Sequence, residues 1–300
     1  MTKKHFCYLI LAVIISSCST NPYKNTEKAY DQQLKTLENQ ITNKEAKPIP
    51  ATSVIIDTSY AQQLGIVKDT LSKTGSTYLV NGINTEWIGT VNFNLRKPSF
   101  VIIHHTAQDS LQQTISTFTK TKTQVSAHYV ISENGKVVQM LNDYLRAWHA
   151  GNSTWGKTTD LNSCSIGIEL DNNGFKPFTE AQISSLVALL TKLKKDYNIP
   201  TQNFLGHADI APGRKQDPSA LFPWKTLAEK GFGIWPDEVL EPAPFDFKIE
   251  TALRIIGYNT KNLSAAIQAF KLHYIQTDAT STLDRKTIDT IYSIYKKQIQ

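Results

Sequence analysis

The sequence predicts an α/β fold, in which helices flank a mixed central β-sheet, with a small C-terminal three-helix bundle after it. Phe100 to Ile103 is a continuous apolar run, typical of a strand that is covered on both faces. Cys164 to Leu170 is a second run of this kind. Between Phe178 and Ile199, apolar positions recur three and four residues apart, as on an amphipathic helix. Strands interleaved with covering helices indicate an α/β domain.

Composition narrows the class of protein. The chain has 300 residues, of which 40% are hydrophobic, so it is long enough for two modest domains with a packed core. The formal net charge is +6, and no run of five or six like charges occurs, so nucleic-acid binding is disfavoured. Three cysteines are too few for a disulfide scaffold in a chain of this size.

The N-terminus predicts export. Lys3 and Lys4 precede the apolar run Phe6 to Ile15, which is too short to span a bilayer comfortably, and residues 1–17 therefore read as a signal peptide. The run ends in Ile15-Ser16-Ser17-Cys18, which resembles the lipobox of bacterial lipoproteins. The resemblance implies cleavage before Cys18 and a lipid on its thiol, which would anchor the protein to a membrane. Ser19 lacks the inner-membrane retention signal of enteric lipoproteins, which favours the outer membrane, facing the periplasm.

A polar tether is predicted for residues 18–52, with one narrow helical stripe of Tyr30, Leu34, Leu37 and Ile41. The α/β domain with its N-terminal extension is predicted over residues 53–236, with short strands at Val54–Ile56 and Tyr78–Val80.

Within this domain, two strands at Val125–Ser132 and Lys136–Leu141 flank Asn134-Gly135, a pair typical of a tight hairpin turn. Thr179 and Gln182 form the pattern of a capping box at the start of the amphipathic helix. An acidic, proline-rich linker begins at residue 237, and three short helical stripes follow it, which predicts a helical bundle over residues 237–300.

The residues that could bind a metal ion lie at the end of one predicted strand and in one loop. His104 ends the Phe100 run, and the segment Gly206 to Pro218 contains His207 and Asp217 between prolines and a turn at Gly213. Zinc prefers nitrogen and carboxylate ligands, and a catalytic zinc takes three of them from the protein. The alternative is that both histidines are satisfied polar residues of the core. The residues alone favour neither interpretation, a zinc site or two buried core histidines, over the other.

Five motifs in order resemble the zinc-dependent N-acetylmuramoyl-L-alanine amidases of type 2, which share a fold with peptidoglycan recognition proteins and bacteriophage lysozyme-like amidases. The resemblance implies that His104, His207 and Asp217 bind one Zn²⁺ per chain, and that Glu169 and Lys215 are the catalytic pair. The motifs are Val101-Ile102-Ile103-His104-His105-Thr106-Ala107, Ser126-Ala127-His128-Tyr129, Arg146-Ala147-Trp148-His149-Ala150-Gly151, Ser165-Ile166-Gly167-Ile168-Glu169-Leu170 and the loop containing His207.

The resemblance also implies the substrate, which is the amide between the lactyl group of (anhydro-)N-acetylmuramic acid and L-alanine of the stem peptide. Trp148 and His149 are expected to line the substrate groove, although a packing role for Trp148 is an equal alternative. Arg214 is a candidate for a stem-peptide carboxylate or a plain surface residue. The segments at residues 252–258 and 269–274 resemble a C-terminal peptidoglycan-binding-like domain, with a structural cap as the alternative.

The sequence gives less support to other functional classes. No His-Glu-x-x-His or Gly-x-Ser-x-Gly motif occurs, which disfavours a zincin protease and the commonest serine hydrolases. Cys164 enters an apolar strand, where a nucleophilic thiolate is not favoured. The serious rival is a lipoprotein that recognises peptidoglycan or muropeptides without cleaving them. The sequence is compatible with either intact wall strands or anhydro-muropeptides as the substrate. It also leaves open the length of the stem peptide and the oligomeric state of the protein.

Overall fold

The computed structural model describes residues 97–300, two short strands before them, and six helical positions between residues 28 and 39. The chain divides into two compact units, Met1–Leu95 and Arg96–Gln300. In the first unit, β1 (Thr77–Val80) pairs antiparallel with β2 (Ile83–Glu86). This confirms the strand predicted at Tyr78–Val80. The predicted signal peptide, Cys18, the stripe from Tyr30 to Ile41 and the strand at Val54–Ile56 lie outside the described residues.

The second unit contains a five-stranded mixed sheet in the order β5-β4-β6-β3-β7. Neighbouring strands among β3, β4, β6 and β7 run parallel, and β5 is an antiparallel edge strand. The predicted fold class is therefore confirmed. The strands are β3 (Phe100–His105), β4 (Tyr129–Ile131), β5 (Val137–Gln139), β6 (Ser165–Leu170) and β7 (Phe204–Gly206).

Seven helices accompany this sheet in the part of the chain from residue 97 onward. Four lie before residue 230 and three form the C-terminal segment. They are α1 (Leu111–Phe118), α2 (Glu180–Tyr197), α3 (His207–Ile210), α4 (Trp224–Glu229), α5 (Ile249–Ile256), α6 (Leu263–Tyr274) and α7 (Arg285–Ile299). The described residues include no helix long and apolar enough to cross a membrane.

Helix α2 covers one face of the sheet. Side chains alternate between the two faces of a strand, so Val101 and Ile103 of β3 point the same way and pack in one core with Leu186 and Leu190 of α2. All four are fully buried. The continuous apolar run of β3 follows from this arrangement, because its alternate residues need a second cover on the opposite face.

The start of α2 differs in one detail from the predicted capping box. Thr179 is the N-cap and its hydroxyl accepts a hydrogen bond from the backbone of Gln182, as expected. The Gln182 amide, however, donates to the carbonyls of Ile131 and Asp171 instead of returning to the cap. Those carbonyls lie at the ends of β4 and β6, so the side chain ties the helix to the sheet.

The C-terminal helices cover the other face of the sheet. Ile102 of β3 belongs to one buried core with Leu253 of α5 and Phe270 of α6. Buried Asp209 of α3 accepts hydrogen bonds from Tyr258, at 2.6 Å, and from His273, at 2.7 Å. The three predicted C-terminal helices are thus present, and their contacts extend to the helix that begins at the candidate ligand His207.

Two predicted strands are shorter in the structure. The hairpin strands cover only Tyr129–Ile131 and Val137–Gln139, with Gly135 in the turn at φ 83°. Val125 is exposed and lies before the paired region. Strand β6 begins at Ser165, and Cys164 is a partly exposed residue just before it.

Candidate active site

The candidate site lies where three parallel strands end. His104 is the penultimate residue of β3, and its register partner on β6 is Glu169. Register partners on adjacent strands point to the same face, so both side chains meet on the side that carries Ile102. Strand β7 ends at Gly206, and His207 follows it as the first residue of α3. The carboxyl edge of a parallel sheet is the usual place for a ligand site.

The three predicted metal ligands converge at this edge. The Nδ1 atoms of His104 and His207 are 3.0 Å apart, and each lies 3.1 Å from Oδ2 of Asp217. Tetrahedral ligands about 2.0–2.1 Å from a zinc ion lie roughly 3.3 Å from one another. The donor atoms therefore have close to the spacing that one such ion requires, and they form the only metal-compatible group of three found among the described residues.

The electrostatics of the three groups fit a cation. Burial, and then the neighbouring His207, lower the pKa of His104 to about 4, so its imidazole is neutral at pH 7. Burial opposes ionisation of Asp217, but the two histidine rings, each with Nδ1 3.1 Å from its Oδ2, outweigh burial and hold its carboxyl pKa well below the usual range. Nε2 of His207 faces the Ala150 carbonyl at 3.2 Å, and a carbonyl can only accept. If Nε2 carries the single hydrogen of the imidazole, the lone pair of Nδ1 faces the Asp217 carboxylate. An imidazole binds a metal ion through such an unprotonated nitrogen.

The loop after α3 brings Asp217 back to the strand ends. The backbone N–H of Ala208 donates to the Asp217 carbonyl at 2.8 Å, which joins the two ends of the loop. Gly213 turns the chain with φ 76°, a conformation that L side chains rarely adopt. The loop therefore holds a histidine and an aspartate, ten residues apart in sequence, beside the same atom, Nδ1 of His104.

Glu169 has the properties of a proton acceptor. Its Oε2 is buried and has no hydrogen-bond partner among the described residues. Burial, and then the charge of Asp217, raise the pKa of Glu169 to about 8, while the charge of Lys215 acts in the opposite direction. A general base is most effective when its pKa lies near the working pH. Lys215 is thus close enough to Glu169 for its charge to lower the pKa of the Glu169 carboxyl.

A groove of about 500 Å³ opens onto these residues. Its lining includes all five predicted metal and catalytic residues, namely His104, Glu169, His207, Lys215 and Asp217. Trp148 also lines the groove and is 52% exposed, which matches its predicted position in a substrate wall. Phe175 is 90% exposed at the rim, and the sequence analysis did not identify it. Its position in the loop directly after β6 was the available signal, because such loops border the site.

The other two expected substrate contacts, His149 and Arg214, are both bonded to protein groups. His149 lines the groove but is only 8% exposed, and its Nδ1 lies 3.1 Å from Nε2 of His104. Arg214 is not among the groove residues; its guanidinium donates to the carbonyls of Ala150 and Asn152 at 2.7 and 2.8 Å. His149 thus lies in the groove lining where it was expected and Arg214 lies outside it, and substrate contact by either residue stays a prediction.

His105 occupies a different position from His104. Its Nδ1 accepts a hydrogen bond from the backbone N–H of Ser219 at 3.1 Å, and its ring packs against Gly174. A Cβ at position 174 would lie 2.8 Å from Nε2 of His105, so this close approach requires glycine. His105 therefore supports the loops around the groove and is not part of the three-residue cluster.

Comparisons with known proteins agree with this geometry. Residues 94–220 match the Amidase_2 family, described as N-acetylmuramoyl-L-alanine amidase. The chain is 37% identical to the N-acetylmuramoyl-L-alanine amidase AmiD of Escherichia coli K12 over 220 residues, which cover 62% of this chain and 78% of that protein. It is 43% identical to the 1,6-anhydro-N-acetylmuramyl-L-alanine amidase AmpD of Haemophilus influenzae, but over 34% of this chain and about half (55%) of the relative.

Solved structures give the same result. A complex of E. coli AmiD with anhydro-N-acetylmuramic acid-L-Ala-D-gamma-Glu-L-Lys superposes with a TM-score of 0.61 at 30% identity, covering 74% of this chain and 97% of that one. AmpDh3 of Pseudomonas aeruginosa, in complex with anhydromuramic pentapeptide, also gives a TM-score of 0.61, at 27% identity, covering 73% of this chain and 99% of that one. On this similarity, together with the strand-end site, the chain belongs to the N-acetylmuramoyl-L-alanine amidase family, type 2.

Proposed function

We propose that this protein is a zinc-dependent N-acetylmuramoyl-L-alanine amidase that acts on anhydro-muramyl peptides in peptidoglycan turnover or recycling. The observation that carries the proposal is the convergence of His104, His207 and Asp217 beside Glu169 in one groove. The substrate class is supported by the relatives AmiD and AmpDh3, which were solved with anhydromuramic peptides bound.

The residues would divide the work as follows. His104, His207 and Asp217 would hold one Zn²⁺, which when bound supplies a Lewis acid that lowers the pKa of a water molecule toward about 7. Glu169 accepts the proton of the attacking water at its carboxylate and returns it to the leaving nitrogen of L-alanine. The Nζ charge of Lys215 offsets the negative charge that develops on the oxygen of the lactyl carbonyl.

The test is hydrolysis of a defined anhydro-muramyl tripeptide by the purified protein. We expect free tripeptide to appear, to stop when a chelator removes the metal, and to resume when Zn²⁺ is restored, because zinc supplies the Lewis acid. Mass spectrometry of the products measures this. Tight binding of the muramyl peptide without any release of tripeptide, at saturating zinc, would instead support the rival function, a non-catalytic recognition lipoprotein. Assaying intact sacculi in parallel separates a preference for wall strands from one for soluble fragments.

The location that we propose is the periplasmic face of the outer membrane, through lipid on Cys18. This rests on the lipobox-like sequence before Cys18 and on the serine after it. A multiply acylated cysteine holds a protein firmly to a membrane, since each buried methylene adds about 0.8 kcal/mol of affinity.

Cys18→Ser is expected to release the protein from the membrane into the soluble envelope fraction, because it removes the thiol that would carry the lipid. Turnover of soluble muramyl peptides should stay unchanged. Fractionation of envelopes followed by immunoblotting measures the first effect, and Cys164→Ser serves as the matched control that keeps Cys18. Membrane retention of Cys18→Ser equal to that of the control would contradict lipid anchoring at this residue.

A further inference from the structure

The two residues His149 and Ala150, here called the bracket, contact both histidine ligands from behind. The carbonyl of Ala150 accepts a hydrogen bond from Nε2 of His207 at 3.2 Å. A carbonyl oxygen has no proton to give, so Nε2 of His207 must carry the hydrogen. In a neutral imidazole the other nitrogen, Nδ1, is then unprotonated. This nitrogen is the one that faces Asp217.

A series of hydrogen bonds from Ser165 through His149 determines which ring nitrogen of His104 carries the proton. The hydroxyl of Ser165 donates its only proton to the carbonyl of Leu161, so it can only accept from Nε2 of His149, which lies 3.1 Å away. His149 then carries its proton on Nε2, and its Nδ1 is an acceptor. That Nδ1 lies 3.1 Å from Nε2 of His104, which must therefore be the donor. The chain of bonds leaves Nδ1 of His104 unprotonated and turned toward His207 and Asp217.

The bracket is itself held rigidly. The side-chain carbonyl of Asn162 accepts from the backbone N–H groups of both His149 and Ala150, at 3.0 and 2.8 Å. Arg214 also donates to the Ala150 carbonyl, at 2.7 Å. The ring of His149 packs against Gly167 of β6, where an added Cβ would lie 2.4 Å from its Cγ. A side chain at position 167 would displace the ring, so the glycine is needed for the contact.

We infer that the bracket orients both metal-binding imidazoles, holding each as the tautomer whose Nδ1 is free to bind the metal. His149, Ala150, Ser165 and Asn162 are thus positioning residues, which act through His104 and His207. This inference rests on the metal site of the proposed function and extends it. Partners of this kind fix the tautomer and ring orientation of metal ligands, and their loss typically weakens metal binding by about 10–100-fold.

The first experiment measures the zinc affinity of His149→Phe by competition with a chromophoric chelator. We expect binding about 10–100-fold weaker than in the wild type, because phenylalanine fills the space but accepts nothing from His104. His149→Gln should restore most of the affinity, since its amide oxygen accepts where Nδ1 did and its amide nitrogen donates to Ser165. His128→Phe is the matched control. His128 is also buried, and its ring meets that of His149 edge-to-face with centroids 5.9 Å apart. It bonds to Gly167 and Leu145 and to neither histidine ligand.

A subtler variant keeps the test decisive if His149→Phe does not fold. Ser165→Ala removes the acceptor of His149 Nε2 without touching a ligand, so His149 can place its proton on Nδ1 and drive His104 into the wrong tautomer. We expect weaker zinc binding here too. In the metal-free wild type, ¹⁵N-histidine NMR should show His104 protonated at Nε2.

Three results would overturn the inference. The first is a zinc affinity within about twofold of the wild type in both Ser165→Ala and His149→Phe. The second is an equal loss of zinc affinity in His149→Phe and His128→Phe. The third is an NMR spectrum that shows wild-type His104 protonated at Nδ1. Failure of the proposed function would look different, because the wild-type protein itself would then bind no zinc while the NMR tautomer of His104 stayed as stated.

Discussion

Replacing Asp217 with alanine is expected to abolish stoichiometric zinc and amidase turnover together. Its Oδ2 lies 3.1 Å from Nδ1 of both His104 and His207, so the substitution removes the carboxylate of the predicted ligand set. The loss in zinc affinity should exceed about a hundredfold, which is the upper end of what outer-sphere substitutions cost. Metal content by atomic absorption and tripeptide release, measured on the same preparation, give the two quantities.

The control for this prediction is His105→Ala. His105 lines the same groove and neighbours a ligand in sequence, but its Nδ1 is engaged by the backbone of Ser219. We expect this variant to retain one zinc per chain. A zinc-loaded, active Asp217→Ala protein would contradict the ligand assignment, and loss of zinc in His105→Ala with retention in His104→Ala would show that the neighbouring histidine is the ligand.

The sequence was informative where local pattern and burial coincide. Residues 101–103 of β3 and 166–168 of β6 are buried between covers on both faces, so these positions before the site carry no polar side chain. The polar residues His104 and Glu169 therefore stood out at the strand ends. The stripe of α2 was equally clear, because one helix face packs on the sheet and the other is solvated.

The bracket could not be predicted in the same way. His149 and His104 are 45 positions apart, and nothing in the segment Trp148–Gly151 states which strand it packs against. A histidine beside an exposed tryptophan suggests a substrate contact, but it does not reveal that most of this ring is buried against Gly167. Gly167, which lies between two isoleucines of β6, was the available signal, since a glycine inside a strand indicates the close approach of another group.

The contacts of the C-terminal helices were also beyond the sequence pattern. A helical stripe predicts that a face is buried but not what covers it. Here the faces of α5 and α6 share a core with Ile102 of β3. Tyr258 and His273 donate hydrogen bonds to buried Asp209, two residues after the predicted ligand His207. Whether these helices also bind peptidoglycan stays a prediction from the resemblance.

Glu169→Gln is expected to lower turnover by about 10²–10⁴-fold, the usual contribution of a general acid–base group, while zinc content stays at one per chain. Glutamine has nearly the same shape, but its amide cannot accept a proton from water at neutral pH. No bond to a ligand is lost, because Oε2 of Glu169 has no hydrogen-bond partner among the described residues. The Michaelis constant should change much less than the turnover number, which steady-state kinetics on the muramyl tripeptide will measure.

The same variant makes a prediction about stability that separates its chemical role from damage to the fold. The folded pKa of Glu169, about 8, lies above its ordinary value of 4.5, so the folded metal-free protein binds this proton more tightly than the unfolded chain does. Its contribution to stability is therefore full below pH 4.5 and is lost as the pH rises toward 8. Glutamine carries no charge, so metal-free Glu169→Gln should be at least as stable as the wild type at pH 8 in urea unfolding. A variant that loses turnover but unfolds at markedly lower urea would mean that Glu169 supports the fold, and near-normal turnover would mean that another group accepts the proton.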